Sequence, residues 1–266
     1  MSHPKVWSSL NDDYIRFAAL FKKKTGIDLV LYKEDQMRSR LTGLMKKSRF
    51  DALVDFYYAL AKNETLLTDT LEHLTCNESE FYRNAQRWSV LEQRVLPEIL
   101  HGNERIKCWS AACSTGEEPY SLAIMLAAFR QSHEIQVLAT DINQRAIQIA
   151  RAGIYRAESM REVPKLYLDN YFELREHRYA ISEEIKRCVR FKSHNLLADP
   201  FEGGFHLIVC RHLLNYLKDK TTEALLGKFS RALKKGGFLF IGEVEQILQP
   251  LRYDLEPVDA FFYRKR

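Results

Sequence analysis

Proline is absent between Pro4 and Pro97, so nothing in that long interval forbids helix by removing a backbone donor or clashing with the preceding turn. Long apolar runs are absent too. None approaches the ~18 residues that a membrane helix requires, and Met1-Ser2-His3-Pro4-Lys5 is not followed by the apolar core of a signal peptide. The expectation is a cytoplasmic chain without membrane insertion. Cysteine is sparse and unpaired in pattern: Cys76, Cys108, Cys113, Cys188 and Cys210 are odd in number and none stands in Cys-x-x-Cys spacing. A disulfide framework and a structural zinc site are thereby disfavoured, and a reduced compartment without metal is expected. No repeat or low-complexity linker interrupts the 266 residues, a length that suits one large domain or two unequal ones.

What is present is unevenly charged. The net charge is +5, and residues 1–62 carry twelve Lys/Arg against seven Asp/Glu, so the N-terminal part holds the whole excess and the rest is balanced. Such a surface suits an acidic partner, although a single run such as Lys22-Lys23-Lys24 reads more simply as a solvated face. Residues 10–80 carry helical spacing. Ile15, Ala18, Ala19 and Phe21 open it, with Gly26 able to end that helix. A second helix is expected over 33–47, with Met37, Leu41, Leu44 and Met45 on one face and Arg38, Arg40, Lys46 and Lys47 elsewhere. A third is expected over 50–62 and a fourth over 64–74. Short connections imply a small bundle.

After Pro97 the periodicity changes. Apolar stretches 106–110, 135–141, 205–210 and 238–242 alternate with helical ones at 119–129, 143–152 and 221–233, and Phe261-Phe262-Tyr263 can close the set. Alternation of this kind predicts an α/β fold with a mostly parallel sheet covered on both faces. It lapses between Gly153 and Asn195, where an inserted segment is expected at about 155–192. In an open parallel sheet, ligands bind beyond the carboxyl ends of the strands, and three such ends carry small or polar residues. The run Trp109-Ser110-Ala111-Ala112-Cys113-Ser114-Thr115-Gly116-Glu117-Glu118-Pro119-Tyr120-Ser121 has one glycine rather than the dinucleotide fingerprint. Its two acids would repel a phosphate and favour a ligand bearing positive charge. Asp141 can accept ribose hydroxyls or, equally, cap the helix that follows. Cys210-Arg211-His212-Leu213-Leu214-Asn215-Tyr216 places polar residues at the third end. Outside the sheet, Asn77-Glu78-Ser79-Glu80-Phe81-Tyr82-Arg83 joins the two parts, either closing a cleft or, through Ser79, capping the next helix.

Taken together, these segments resemble the chemotaxis receptor methyltransferase family, known as CheR. The stretch 109–121 is the most specific. Ala139-Thr140-Asp141-Ile142, Asn195-Leu196-Leu197 and the Lys-Lys-Gly-Gly turn at 234–237 extend the resemblance over almost the whole chain. It implies a class I methyltransferase sheet, Rossmann-like, behind a helical domain: residues 1–80 basic and receptor-facing, residues 81–266 catalytic with a short inserted β subdomain. The implied cofactor is S-adenosyl-L-methionine, leaving as S-adenosyl-L-homocysteine, and the implied substrates are glutamate side chains of methyl-accepting receptors. By the same resemblance Asn77, Ser79 and Arg83 contact the cofactor from the junction, and Glu118 lies near its sulfonium or methionine end. Asp141 holds the ribose, Asn195 and Leu196 flank the adenine, and His212 and Leu213 line the cofactor near the methyl group. Arg83 and Tyr216 lie nearest the reaction.

Two features depart from the family pattern. His212 stands where the family usually has asparagine, and a protonated imidazole beside a sulfonium would oppose binding at low pH. The loop Glu173-Leu174-Arg175-Glu176-His177-Arg178-Tyr179 lacks the length and glycine of members that dock on a receptor's C-terminal pentapeptide, so no tether is expected. The chain is read as a monomer whose partner is the receptor's cytoplasmic domain. The basic N-terminal part lacks the aromatic-interleaved pattern of an RNA module, so no nucleic-acid partner is expected. The rival readings are a methyltransferase acting on RNA or another substrate, and a sensor that binds S-adenosylmethionine without transferring its methyl group.

Overall fold

A computed structural model describes residues 4–75 and 79–266, with side chains from residue 13 onward. The chain forms two compact units, 1–76 with 216–222, and 77–215 with 223–266. The first is helical: α1 (Pro4–Thr25), α2 (Glu34–Lys47), α3 (Leu53–Lys62) and α4 (Glu64–Thr75). In α1 the buried stripe is Tyr14, Phe17, Ala18 and Phe21, whereas Ile15 is 56% exposed and Ala19 is exposed. Of the expected set, Ala18 and Phe21 are therefore on the buried face, and Ile15 and Ala19 are not. The large rings decide the register, since Phe17 stacks on Phe21 at 5.3 Å and on Phe56 of α3 at 6.4 Å. Helix α3 begins at Leu53 rather than 50 because its cap comes from α1. Asp13 accepts hydrogen bonds from Leu53 N (2.7 Å) and Val54 N (3.1 Å), satisfying two of the amides a helix start leaves open. In α2, Met37, Leu41 and Met45 are buried and Leu44 is half-exposed.

The second unit opens with α5 (Ala85–Val90) and α6 (Leu96–Leu100), joined through a π-helical turn at Leu91–Val95. Strands and helices then alternate as expected: β1 (Ile106–Ala111), α7 (Glu117–Ala127), β2 (Ile135–Asp141) and α8 (Gln144–Ala152). The insertion follows, with β3 (Ile154–Arg156), α9 (Lys165–Tyr171), β4 (Phe172–Arg175), β5 (Arg178–Ile181) and α10 (Glu183–Cys188). The main sheet resumes with β6 (Val189–Ser193) and β7 (Phe205–Cys210), then α11 (Asp219–Ala232), β8 (Leu233–Ile241), β9 (Leu255–Asp259) and β10 (Phe262–Lys265). Its order is β6-β2-β1-β7-β8-β10-β9, with β10 antiparallel to both of its neighbours and the pairs from β6 through β8 parallel. Every residue of β7 is buried, as both-face coverage of a parallel sheet requires.

Two strands escaped the sequence pattern. In β6, only Val189 and Phe191 are buried, so this short edge strand has too few apolar residues to stand out in the lapse after Gly153. In β9, Pro257 interrupts the run, an allowed position because the strand is at the sheet edge. The insertion carries a three-stranded antiparallel sheet, β3-β5-β4. It is anchored by Phe81, fully buried and set edge-on to Tyr155 (4.8 Å) and Phe172 (5.1 Å). The β4–β5 hairpin is closed by two residues, Glu176 and His177, both left-handed (φ 43° and 66°), as a type I′ turn demands.

The sharpest steric requirement lies between β1 and α7. Gly116 has φ 97°, and a Cβ there would stand 2.8 Å from Ala150 Cβ and 3.0 Å from the Tyr155 hydroxyl. Left-handed strain of about 1–2 kcal/mol adds to this overlap. Gly116→Ala should cost about 2–3 kcal/mol in all and lower the thermal midpoint by about 5–10 °C. Circular dichroism melting would show otherwise if the shift stayed below about 2 °C.

Candidate active site

The parallel strands β6, β2, β1 and β7 lie side by side and end at one edge of the sheet. The connections run outward to β2 and β6 on one side of β1 and to β7 on the other, so β1 marks the switch in strand order where ligands bind. The loops leaving these strands are bent. Ala112 (φ 66°), Ser114 (φ 48°) and His212 (φ 62°) are left-handed although none is glycine. Such conformations persist where surrounding contacts hold them, commonly at functional sites.

Asp141 ends β2 and is 8% exposed. Its Oδ2 accepts from Ser114 N (2.8 Å) and its Oδ1 from Asn143 N (2.9 Å). The two readings of this residue separate here, because α8 is capped by Asn143, whose Oδ1 accepts from Arg145 N and Ala146 N. Burial pushes the Asp141 carboxyl up, and the amides of Asn143, Ser114 and Ile142 hold it down. Three of roughly four acceptor positions are thus taken. One further donor fits directly, and two ribose hydroxyls would have to share an acceptor with the backbone.

Glu118 lies on the first turn of α7. It accepts from the Ser110 hydroxyl (2.8 Å) and sits 3.7 Å from the Arg211 guanidinium. Burial raises its pKa, opposed first by Arg211 and then by Ser110. Glu117 points elsewhere, to the Thr115 hydroxyl at 2.7 Å and to Ser79. The two neighbouring acids therefore have separate jobs, and Arg211 offsets the charge of Glu118. Ser79 does not cap the next helix, since α5 starts at Ala85 with Asn84 in the cap position. Instead the 79–84 segment is held on α7, with Tyr82 N donating to Ser121 Oγ at 3.0 Å and Ser121 Oγ to Glu117 O at 2.7 Å.

Arg211 carries more of this site than the sequence suggested. It is 6% exposed and donates to Arg83 O and Asn84 Oδ1, both at 2.8 Å. Its guanidinium lies 5.1 Å from the Phe240 ring centre. An arginine directly after a fully buried, mostly apolar strand was the available signal. Beyond β6, His194 N donates to Asp141 O (2.9 Å), which brings Asn195 and Leu196 beside the end of β2. Asn195 Oδ1 accepts from Leu197 N (3.0 Å), and Leu196 is buried. Leu213 is half-buried. Asn77 lies outside the described residues. Arg83 belongs to the sheet unit, where its carbonyl accepts from Trp88 Nε1 as well (3.1 Å). Tyr216 belongs to the helical unit, under the Arg40 guanidinium at 4.6 Å from its ring centre, and its carbonyl accepts from Lys33 N (2.8 Å).

His212 differs from expectation. Burial, then Arg211 and Arg83, push its imidazole down to about 4, and its Nε2 is buried without a partner among the described residues. Proton uptake there is opposed until well below the ordinary histidine range, so His212 is neutral at physiological pH. The cation foreseen beside the sulfonium does not form under mildly acidic conditions. The remaining chemistry fits S-adenosylmethionine: carboxylates that accept from hydroxyl and ammonium groups at Asp141 and Glu118, and apolar surface from Leu196 and Leu213. Between pH 8 and 5.5, the affinity for S-adenosylmethionine should vary identically in the unaltered protein and in His212→Asn, as titration calorimetry can measure. A fall confined to the unaltered protein would mean that His212 charges in this range.

Comparison with known proteins identifies the family. Residues 77–261 match the family described as "CheR methyltransferase, SAM binding domain", and residues 12–75 match "CheR methyltransferase, all-alpha domain". The "Chemotaxis protein methyltransferase" of Listeria innocua is 39% identical over 257 residues, covering 96% of this chain and 98% of that protein. The protein of the same description from Borreliella burgdorferi is 32% identical, over 89% of this chain and 88% of its own. "Chemotaxis protein methyltransferase 1" of Pseudomonas aeruginosa is 32% identical, over 90% and 92%. With an all-α unit followed by a seven-stranded methyltransferase sheet, and with the cofactor-binding domain matched through the strand ends described above, this chain belongs to the CheR family of S-adenosylmethionine-dependent methyltransferases.

Proposed function

We propose that the protein methylates glutamate side chains on the cytoplasmic domain of methyl-accepting chemotaxis receptors, acting in the cytoplasm as a monomer. The observation that carries this reading is the end-to-end similarity to relatives described as chemotaxis protein methyltransferases, across 96% of the chain. When bound, S-adenosylmethionine supplies an electrophilic methyl on a sulfonium. A receptor glutamate oxygen forms the new O–CH3 bond as the S–CH3 bond breaks, and the sulfur keeps the electron pair as a neutral thioether.

The residues suit a reaction that needs no base. A glutamate with its ordinary pKa of ~4.3 is already ionised at neutral pH, so the protein's work is orientation and exclusion of water. Glu118 holds the ammonium end of the cofactor and Asp141 the ribose. Asn77 and Ser79 contribute from the junction, Asn195 and Leu196 hold the adenine, and His212 and Leu213 line the methyl end. Arg83 presents forked donors to a carboxylate, and Tyr216 orients the incoming glutamate by its hydroxyl. Within the basic segment around 38–49, which the family resemblance turns toward the receptor, the exposed cations are Lys46, Lys47 and Arg49. Arg38 is paired with Glu34 at 2.7 Å, and Arg40 donates to Leu74 O and stacks on Tyr216. The two-residue, glycine-free β4–β5 turn supports a reading without a pentapeptide tether.

The test is radiolabelled methyl transfer into receptor-containing membranes. Base-labile label in the receptor is expected, at equal rates for receptors with and without their C-terminal tail. Label in RNA, or cofactor binding without transfer, would overturn the assignment, and strict dependence on the tail would overturn the tether-free reading. In the same assay Arg83→Ala should reduce turnover about 100-fold, the scale of a misplaced reactant. Turnover and cofactor affinity both left intact would remove Arg83 from the mechanism.

A further inference from the structure

One buried carboxylate at the strand ends has no part in the assignments above. Glu245 follows β8 and is 3% exposed. Its Oε2 accepts from Gly242 N at 2.6 Å and its Oε1 from Leu214 N at 2.8 Å. The backbone amides of His212 and Asn215 also bond to it. Glu245 N in turn donates to Gly242 O at 3.0 Å, so the 242–245 turn is closed upon itself. A side chain from the end of β8 thus gathers three amides of the loop leaving the neighbouring strand β7.

Two independent features match this arrangement. His212 is held at φ 62°, a conformation that an unconstrained non-glycine residue would leave. Gly242 leaves no room for a side chain, since a Cβ would lie 2.8 Å from Glu245 Oε2 and 3.0 Å from His212 N. The four partners are all N–H donors, and an ionised carboxylate is the side chain that only accepts. A glutamine of the same shape would turn an NH2 group against those donors and leave buried amides unsatisfied.

We propose that Glu245 is a positioning residue for the cofactor: its carboxylate fixes the 212–215 loop in the left-handed form that lets His212 and Leu213 line the ligand. The inference rests on assigning His212 and Leu213 to S-adenosylmethionine and is independent of the receptor as substrate. Its effect is therefore read in binding rather than in methyl transfer.

Titration calorimetry of the full chain with S-adenosylhomocysteine tests it. Glu245→Gln and Gly242→Ala should each weaken binding about tenfold or more, and Leu213→Ala should weaken it as well. Loss with Leu213→Ala but wild-type affinity in a folded Glu245→Gln would overturn the positioning role and leave the site assignment standing. Wild-type affinity in all three would overturn both. Should the Glu245 and Gly242 variants fail to fold, amide exchange on the unaltered protein decides. The amides of His212, Leu214 and Asn215 should exchange slowly both before and after S-adenosylhomocysteine is added. Slow exchange only after its addition would show that the loop is not held in advance, and the proposal would fail.

Discussion

The guanidinium of Arg211, sealed beneath the ends of two parallel strands, ties together parts of the sheet unit that are distant in sequence. It reaches the carboxylate of Glu118 on α7, the carbonyl of Arg83 and the side chain of Asn84, while its flat face lies on Phe240 of β8. A buried charge is tolerated only with its partners in place, so these groups form one unit. Removing either Arg211 or Glu118 would leave the other uncompensated. The pairing links Arg83 and Asn84 to α7 and keeps Glu118 beside the end of β1.

Around that pair, backbone amides do much of the organising. Asp141 is held by the amides of Ser114, Asn143 and Ile142, and Glu245 by those of His212, Leu214, Asn215 and Gly242. Each carboxylate joins two strand ends, the first linking β1 to β2 and the second β7 to β8. This scheme places acceptors and apolar surface at the strand ends, where the buried cation Arg211 is offset by Glu118. It agrees with a ligand that brings its own positive sulfonium, and with an imidazole at His212 kept neutral by burial and by two neighbouring arginines.

Much of the architecture was legible because it follows from periodicity. Strands β2 and β7 matched their expected ranges residue for residue, since both are mostly apolar and almost wholly buried, as strands inside a parallel sheet are. The turn at Gly116 and the cap at Gly153 were marked by glycines that take left-handed angles. Several of the misses have one cause, which is a partner far away in the chain. The start of α3 depends on Asp13, forty positions earlier, and the stripe of α1 depends on where Phe17 meets Phe56. Strand β6 is recognisable only beside β2. Ser79, a plausible cap by local pattern, is drawn away by Glu117.

The sequence alone determined the two-part organisation, the mostly parallel sheet, the family, and the strand ends at which Glu118, Asp141 and His212 are found. These rest on local hydrophobic period and on short motifs, which need no knowledge of distant contacts. Tertiary structure decided what those residues experience. It separated Glu117 from Glu118, released Asp141 from the capping role taken by Asn143, lowered the pKa of His212, and disclosed Arg211 and Glu245 as the groups that hold the site's parts together. Each of these outcomes depends on burial and on neighbours brought together by folding, quantities that a linear pattern does not contain.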